Sequence, residues 1–63
     1  MKEIRKYRKR AGISVKELAS KIGVSMMSIY RYEQGKRKPD VETAAKIADI
    51  LNCSIEDLLK KAG

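Results

Sequence analysis

The chain has 63 residues, with no histidine, a single cysteine and a formal net charge of +7, which is enough for one small domain and too little for an enzyme pocket with its supporting layers. Because it lacks histidine and a second cysteine, we expect no internal disulfide, no metal, no cofactor and a reducing compartment. Because no stretch approaches the roughly 20 apolar residues that cross a bilayer and no signal-peptide core is present, we expect a cytoplasmic, non-enzymatic domain over residues 1–63 that does not contact a membrane.

Capping residues and apolar spacing predict five short helices and no strand, which indicates an all-α domain. In chain order, the helices are predicted over residues 2–10, 14–22, 25–33, 40–51 and 54–59. Ser14 with Glu17, and Ser54 with Asp57, have the spacing of reciprocal capping boxes. Glycines, or asparagine at position 52, follow four of the helices and predict left-handed caps at Gly12, Gly23, Gly35 and Asn52.

Apolar residues at helical spacing predict the core. In chain order, the predicted inward positions are Ile4, Tyr7, Ala11, Val15, Leu18, Ala19, Ile22, Ile29, Tyr32, Val41, Ala44, Ala45, Ile47, Ala48, Leu51, Ile55, Leu58 and Leu59. Cys53 lies between two apolar helices, so we expect a small core residue there, with a redox-sensing thiol as the alternative.

The charge is divided unevenly along the chain. Residues 1–38 carry a net charge of +9 and residues 40–57 carry −4. A basic field on one side of a small domain attracts polyanions, most commonly a nucleic-acid backbone. The alternative is a solvated surface that only favours solubility.

Residues 14–35 contain the most informative pattern. Two short amphipathic segments meet through Gly23-Val24-Ser25, and the small Ala19 stands where the second helix must cross closely over the first. This is the signature of a helix-turn-helix, over about residues 14–33.

At these residues the chain resembles the Cro/cI-type family of regulators, also called the Xre or lambda-repressor-like family. The resemblance extends to residues 4–8, 33–39, 43–51 and 54–59. It implies a compact five-helix lambda-repressor-like domain that binds double-stranded DNA, as a homodimer on an inverted-repeat operator, and acts as a transcriptional repressor.

The resemblance also implies that residues 25–33 are a recognition helix in the major groove, with residues 14–22 across its mouth. On this basis the candidates for reading bases are Met26, Met27 and Arg31. The candidates for contacting phosphates are Ser14, Ser25, Tyr30, Lys36, Arg37 and Lys38. The alternatives are that Met26 is partly a core residue and that Met27 is a tolerated surface methionine. For the two serines the alternative is helix capping alone, and for the basic loop it is simple solvation. For Tyr30 the alternative is packing of its ring on the stem of Lys36 or Arg37.

Two further expectations come from the family. Arg8 and Glu33 occupy positions where it places an ion pair between the first helix and the end of the recognition helix. Its dimers usually pair through the C-terminal part, where the candidate contacts are Ile55, Glu56, Leu58 and Leu59. The chain departs from the family pattern at Val15, in place of a frequent glutamine, at Met26 and Met27, in place of polar residues, and at Asn52, in place of glycine.

Two other functions compete with this interpretation. An antitoxin-type interaction module that also binds its own promoter can have the same fold, and a co-purifying partner protein would identify it. Binding of RNA or a membrane surface by a basic amphipathic helix is the third possibility. Against it, the aromatic residues are three tyrosines without tryptophan or phenylalanine.

Overall fold

The described part of the chain in this computed structural model is residues 1–59, which form five helices and no strand. The helices are α1 (Glu3–Ala11), α2 (Val15–Ile22), α3 (Met26–Glu33), α4 (Val41–Ile50) and α5 (Ile55–Leu59). The all-α, five-helix prediction is therefore confirmed. The predicted domain runs to residue 63, so its end, with Lys60 and Lys61, lies outside the described residues.

Side-chain oxygens cap four of the helices at their N-termini, where backbone N–H groups lack partners within the helix. The cap accepts a hydrogen bond from the backbone N–H three residues later in each case: Ser14 from Glu17, Ser25 from Ser28, Asp40 from Thr43 and Ser54 from Asp57. At Ser54 the box is reciprocal, since its N–H donates to Asp57 Oδ2 at 3.0 Å. The capping box at Ser14 also predicts a bond from the Ser14 N–H to the Glu17 carboxylate; this bond is absent from the described part, so that half of the prediction is wrong.

The predicted left-handed residues end their segments as expected. Gly12, Gly23, Gly35 and Asn52 all have positive φ. Gly23 makes the turn between α2 and α3 with a φ of 75°, and a Cβ added there would meet nothing within 4 Å. Backbone conformation, rather than lack of space, therefore favours glycine in this turn.

The core is formed by apolar residues from all five helices. Its buried members are Ile4, Val15, Leu18, Ala19, Ile22, Ile29, Tyr32, Ile47, Ala48, Leu51 and Leu58. Helix α2 packs against α3 and α4, α1 packs against α3 and α5, and α4 packs against α5.

Four residues predicted to face the core are exposed instead: Ala11, Val41, Ala45 and Leu59. Val41 is 80% exposed although Ala44, in the same first turn of α4, is buried, so the neighbouring helices cover only one side of that turn. Ala45 lies beside the buried stripe of α4, while Ala11 and Leu59 are the last residues of α1 and α5. The helical period identifies the correct stripe, but the neighbouring helices decide how far along it burial extends.

Candidate nucleic-acid interface

Helix α3 is held in place through its inner side. Ile29 and Tyr32 are buried in the core, and Ala19 of α2 is buried beneath the turn that leads into α3. The N–H groups of Gly23 and Val24 both donate to the carbonyl oxygen of Ala19, at 2.9 and 3.1 Å. Closing α2 on this small residue allows α3 to leave at a fixed angle, which is the helix-turn-helix arrangement predicted for residues 14–33.

An ion pair ties the end of α3 to α1. Arg8 Nε donates to Glu33 Oε2 at 2.7 Å and Arg8 Nη2 donates to Oε1 at 3.3 Å. Arg8 Nη1 also donates to the carbonyl oxygen of Ile13 at 3.0 Å. The two side chains are only 12% and 6% exposed. This bidentate pair therefore fixes α1, the loop after α1 and the end of α3 relative to one another.

The opposite side of α3 projects into solvent, and we call its exposed side chains, Met26, Met27, Tyr30 and Arg31, the outer face. Met26 is 44% exposed and Met27 is 57% exposed, and both lie outside the core cluster. Met26 is therefore not part of the core, contrary to the alternative that it is partly a core residue. Met27 and Arg31 lie one helical turn apart, as do Met26 and Tyr30, so the four side chains share one surface.

A cleft of 540 Å³ adjoins the outer face where α1, α2 and α3 meet. Met26 and Tyr30 line it from α3, Ser14 and Lys16 line it from the start of α2, and Arg5 lines it from α1. Arg8 and Glu33 also line the cleft, as an ion pair without net charge. The first N–H groups of α2 and the two further cations, Arg5 and Lys16, therefore make the cleft suitable for an anion.

Sequence reasoning missed Arg5 and Lys16 as site residues. A signal was present, because Arg5 precedes Arg8 by three residues and therefore lies one helical turn from the predicted ion pair. Lys16 lies in the first turn of α2, immediately after the predicted cap Ser14 and its neighbour Val15. The uneven distribution of charge includes both cations but does not locate either of them.

A basic loop follows α3 directly and contacts that helix through Arg37. Lys36, Arg37 and Lys38 are exposed, and the buried Pro39 anchors the loop. Arg37 folds back along α3, where Nη1 donates to Ser28 Oγ at 3.5 Å and the guanidinium lies 5.7 Å from the centre of the Tyr32 ring. The guanidinium of Arg37 is therefore directed towards Ser28 and Tyr32.

Ser25 caps α3 as predicted, and its hydroxyl also lies 3.0 Å from Ser28 Oγ. Ser14 caps α2 at the edge of the cleft. Both serines are exposed and adjoin the outer face. Their capping role is thus established, and a hydroxyl that accepts a hydrogen bond in a cap keeps its O–H group, which can donate to an anion.

One of the four C-terminal dimer candidates, Leu58, is buried and so cannot belong to a contact surface. Leu58 is 1% exposed and belongs to the core, so its predicted role as a contact is wrong. Leu59 and Glu56 are exposed and Ile55 is half-buried. A partner molecule could therefore contact Ile55, Glu56 and Leu59.

Cys53 packs at the edge of the core, half-buried. Burial raises the pKa of its thiol, and the negative charge of Asp57 raises it further. A redox-sensing cysteine requires an accessible thiolate, so the environment of Cys53 favours a packing role.

Neither a metal site nor a membrane span is found in the part that the structure describes. No group of three or more candidate metal-binding side chains occurs among residues 1–59. No helix in that range has both the length and the apolar character needed to span a membrane.

Comparisons with known proteins all indicate the same family. A helix-turn-helix family model matches residues 4–58. An uncharacterized HTH-type transcriptional regulator of Archaeoglobus fulgidus is 44% identical over 55 residues, which are 87% of this chain and 79% of the relative. No solved structure gives a significant match.

Two Bacillus subtilis proteins are also similar. The HTH-type transcriptional regulator ImmR is 33% identical over 60 residues, and the uncharacterized HTH-type transcriptional regulator YqaE is 35% identical over 57 residues. These alignments cover 95% and 90% of this chain. The chain spans only 47% of ImmR and 49% of YqaE. All three relatives are named as regulators of transcription, and none of these names describes an enzyme.

Proposed function

The chain belongs to the Cro/cI-type helix-turn-helix family of transcriptional regulators, and from this premise we propose that it binds double-stranded DNA and represses transcription by inserting residues 25–33 into the major groove. The observation that carries the proposal is the outer face of α3, which is exposed along the helix and has cationic side chains beside it, in the cleft along one flank and in the loop that follows the helix. Helix α3 has 8 residues and is therefore about 12 Å long. An α-helix with its side chains is about 10–12 Å across, and the major groove is about 12 Å wide, so α3 fits within it.

The positions of the cations support contacts with the two backbones that border the groove. Arg5 and Lys16 lie in the cleft beside Met26 and Tyr30. Lys36 and Lys38 lie in the loop that follows α3, and both are exposed. We assign Ser14, Ser25, Tyr30 and Arg37 to the same backbone contacts.

Base reading falls to Arg31, Met26 and Met27. The Arg31 guanidinium can donate two hydrogen bonds to guanine O6 and N7. The methionines have no strong donor, but their exposed thioethers can pack against thymine methyl groups. We therefore expect a target in which a guanine position contacted by Arg31 lies beside thymines.

A homodimer on an inverted repeat would complete the site, because one helix of this length reaches only a few base pairs. In a two-fold dimer the same surface of each molecule meets its counterpart. The exposed Leu59 and Glu56, with the half-buried Ile55, form the proposed contact. Two recognition helices would then read half-sites about one helical turn apart. Occupation of the groove also excludes other proteins from the same site, which supports repression.

Selection of bound sequences from randomised duplex DNA tests this function. We expect an enriched inverted repeat, and the affinity for it should fall linearly with salt on a log-log plot. The variant K36A/K38A should weaken binding to every duplex and make the slope shallower by about 0.9 for each phosphate that is no longer neutralised.

Lys46→Ala is the matched control, because it removes an exposed lysine from α4, away from the outer face. It should leave the slope unchanged. Equal affinity for all duplexes, or a slope near zero in the wild-type protein, would contradict the proposed function.

A further inference from the structure

We propose that Met26 and Met27 form an oxidation-sensitive site, at which a peroxide converts the thioethers to sulfoxides and thereby releases the protein from DNA. This inference rests on the proposed function, because it adds regulation to the same surface. It starts from a feature that the fold does not explain, namely two adjacent methionines exposed on one helix.

The fold makes no use of these two side chains. Both lie outside the core cluster, whereas the third methionine, Met1, is half-buried and packs against that cluster. Methionine is a flexible apolar residue that usually fills gaps in cores. Two exposed thioethers on the outer face therefore have no packing role in the described part of the chain, and an oxidant in solution reaches both.

The reaction is an oxygen-atom transfer. The sulfur lone pair attacks one oxygen of hydrogen peroxide, the O–O bond breaks, and the departing hydroxide takes the proton of the transferred oxygen to become water. The sulfur loses two electrons, the peroxide gains two, and the product is methionine sulfoxide. A thiol-dependent methionine sulfoxide reductase reverses the reaction, with oxidation of the thiol to a disulfide and release of water.

The position of each sulfur determines what oxidation does to binding. Met27 lies one turn from Arg31, so a sulfoxide there brings a polar oxygen into the proposed apolar contact with base edges. Met26 lines the cleft with Arg5, Ser14 and Lys16. A sulfoxide oxygen at Met26 can accept hydrogen bonds from these groups, and it then competes with phosphate for the same donors.

Oxidation should leave the fold intact, because neither side chain belongs to the core. The change is thus confined to the interface. Burying a polar oxygen without a matched donor costs free energy, and we expect the affinity for the selected duplex to fall about tenfold.

The experiment measures binding of the selected duplex by fluorescence anisotropy, before and after treatment with hydrogen peroxide. Mass spectrometry of peptides should locate the added oxygen at Met26 and Met27 before Met1, and circular dichroism should stay unchanged. Affinity should fall about tenfold and return after treatment with methionine sulfoxide reductase and dithiothreitol.

Two variants separate the sources of the effect. M26L/M27L keeps apolar side chains without sulfur, so its affinity before and after peroxide should have a ratio near one, whatever its starting affinity. Cys53→Ala should lose affinity on oxidation as the wild-type protein does.

The outcomes distinguish this inference from the proposed function. Untreated protein that binds DNA and keeps its affinity with both methionines oxidised overturns the inference and leaves the function standing. An effect that disappears in Cys53→Ala, or that persists in M26L/M27L, also overturns it. Untreated protein that fails to prefer any duplex overturns both.

Discussion

Removal of Arg8 should destabilise the domain more than any change on its surface. In the folded protein the guanidinium makes three hydrogen bonds, two to Glu33 and one to the carbonyl oxygen of Ile13, at 2.7 to 3.3 Å. In Arg8→Ala the Glu33 carboxylate, whose side chain is only 6% exposed in the wild-type protein, no longer has its cation.

The expected magnitude is a large share of the total stability. Breaking a buried ion pair by removing one partner costs about 3 to 5 kcal/mol. A domain of 63 residues, at about 0.05 to 0.15 kcal/mol per residue, has a free energy of unfolding of roughly 3 to 9 kcal/mol. Arg8→Ala should therefore be partly or fully unfolded at 25 °C, or should melt at least about 12 °C below the wild-type protein.

Urea unfolding followed by circular dichroism measures the effect. Lys9→Ala is the matched control, because it removes a neighbouring exposed cation from the same helix, and its free energy of unfolding should stay within about 0.5 kcal/mol of the wild-type value. The double variant R8M/E33L replaces the pair by apolar side chains and should be more stable than either single variant.

The reasoning fails if Arg8→Ala unfolds at nearly the wild-type urea midpoint. It also fails if the double variant is as unstable as the sum of the two single variants, because the destabilisation would then come from packing and not from a stranded charge.

The remaining predictions concern the interface, the assembly and the thiol. Arg31→Ala should relax preference at one position of each half-site, by about 1 to 3 kcal/mol, in competition assays at fixed salt, and an equal loss for every duplex would make Arg31 a phosphate contact. Met27→Ala should weaken binding chiefly to sites with a thymine nearby, and its affinity for sites that lack this thymine should be unchanged. Leu59→Glu should reduce cooperative occupation of two half-sites in footprinting while the melting temperature stays close to the wild-type value, since Leu59 is exposed. Cys53 should react with iodoacetamide more slowly at pH 8 than a short peptide with the same thiol, because burial and Asp57 raise its pKa and keep it protonated, and the difference should narrow as the pH rises through that pKa.

The positions of helix ends could be predicted from the sequence because they depend on local chemistry. A serine or aspartate cap acts on a backbone N–H three residues away, and a left-handed residue acts on the turn in which it lies. Ser54, Asp40 and Asn52 therefore behave as predicted. The exposure of Val41 and Ala45 could not be predicted in the same way, because it depends on which side of α4 the neighbouring helices cover.

The candidate site likewise has one part that could be predicted from the sequence and one part that could not. The outer face follows from helical period once Ile29 and Tyr32 are assigned to the core, so its four side chains could be identified from the sequence. The cleft with Arg5 and Lys16 combines three helices that are distant in sequence. Only their packing brings these cations beside Met26, which is why the sequence indicates their charge but not their place.

The buried side of α3 therefore contributes to stability, whereas its exposed side carries the candidate recognition residues. Ile29, Tyr32 and Glu33 hold the helix through buried contacts, and Glu33 does so through a charged partner on another helix. The outer face makes no comparable contact with the core, so its side chains can change with little effect on the fold. A triple variant with substitutions at Met26, Met27 and Arg31 should then prefer a different duplex, while its free energy of unfolding stays within about 1 kcal/mol of the wild-type value. A triple variant that fails to fold would show instead that the outer face also contributes to the stability of the domain.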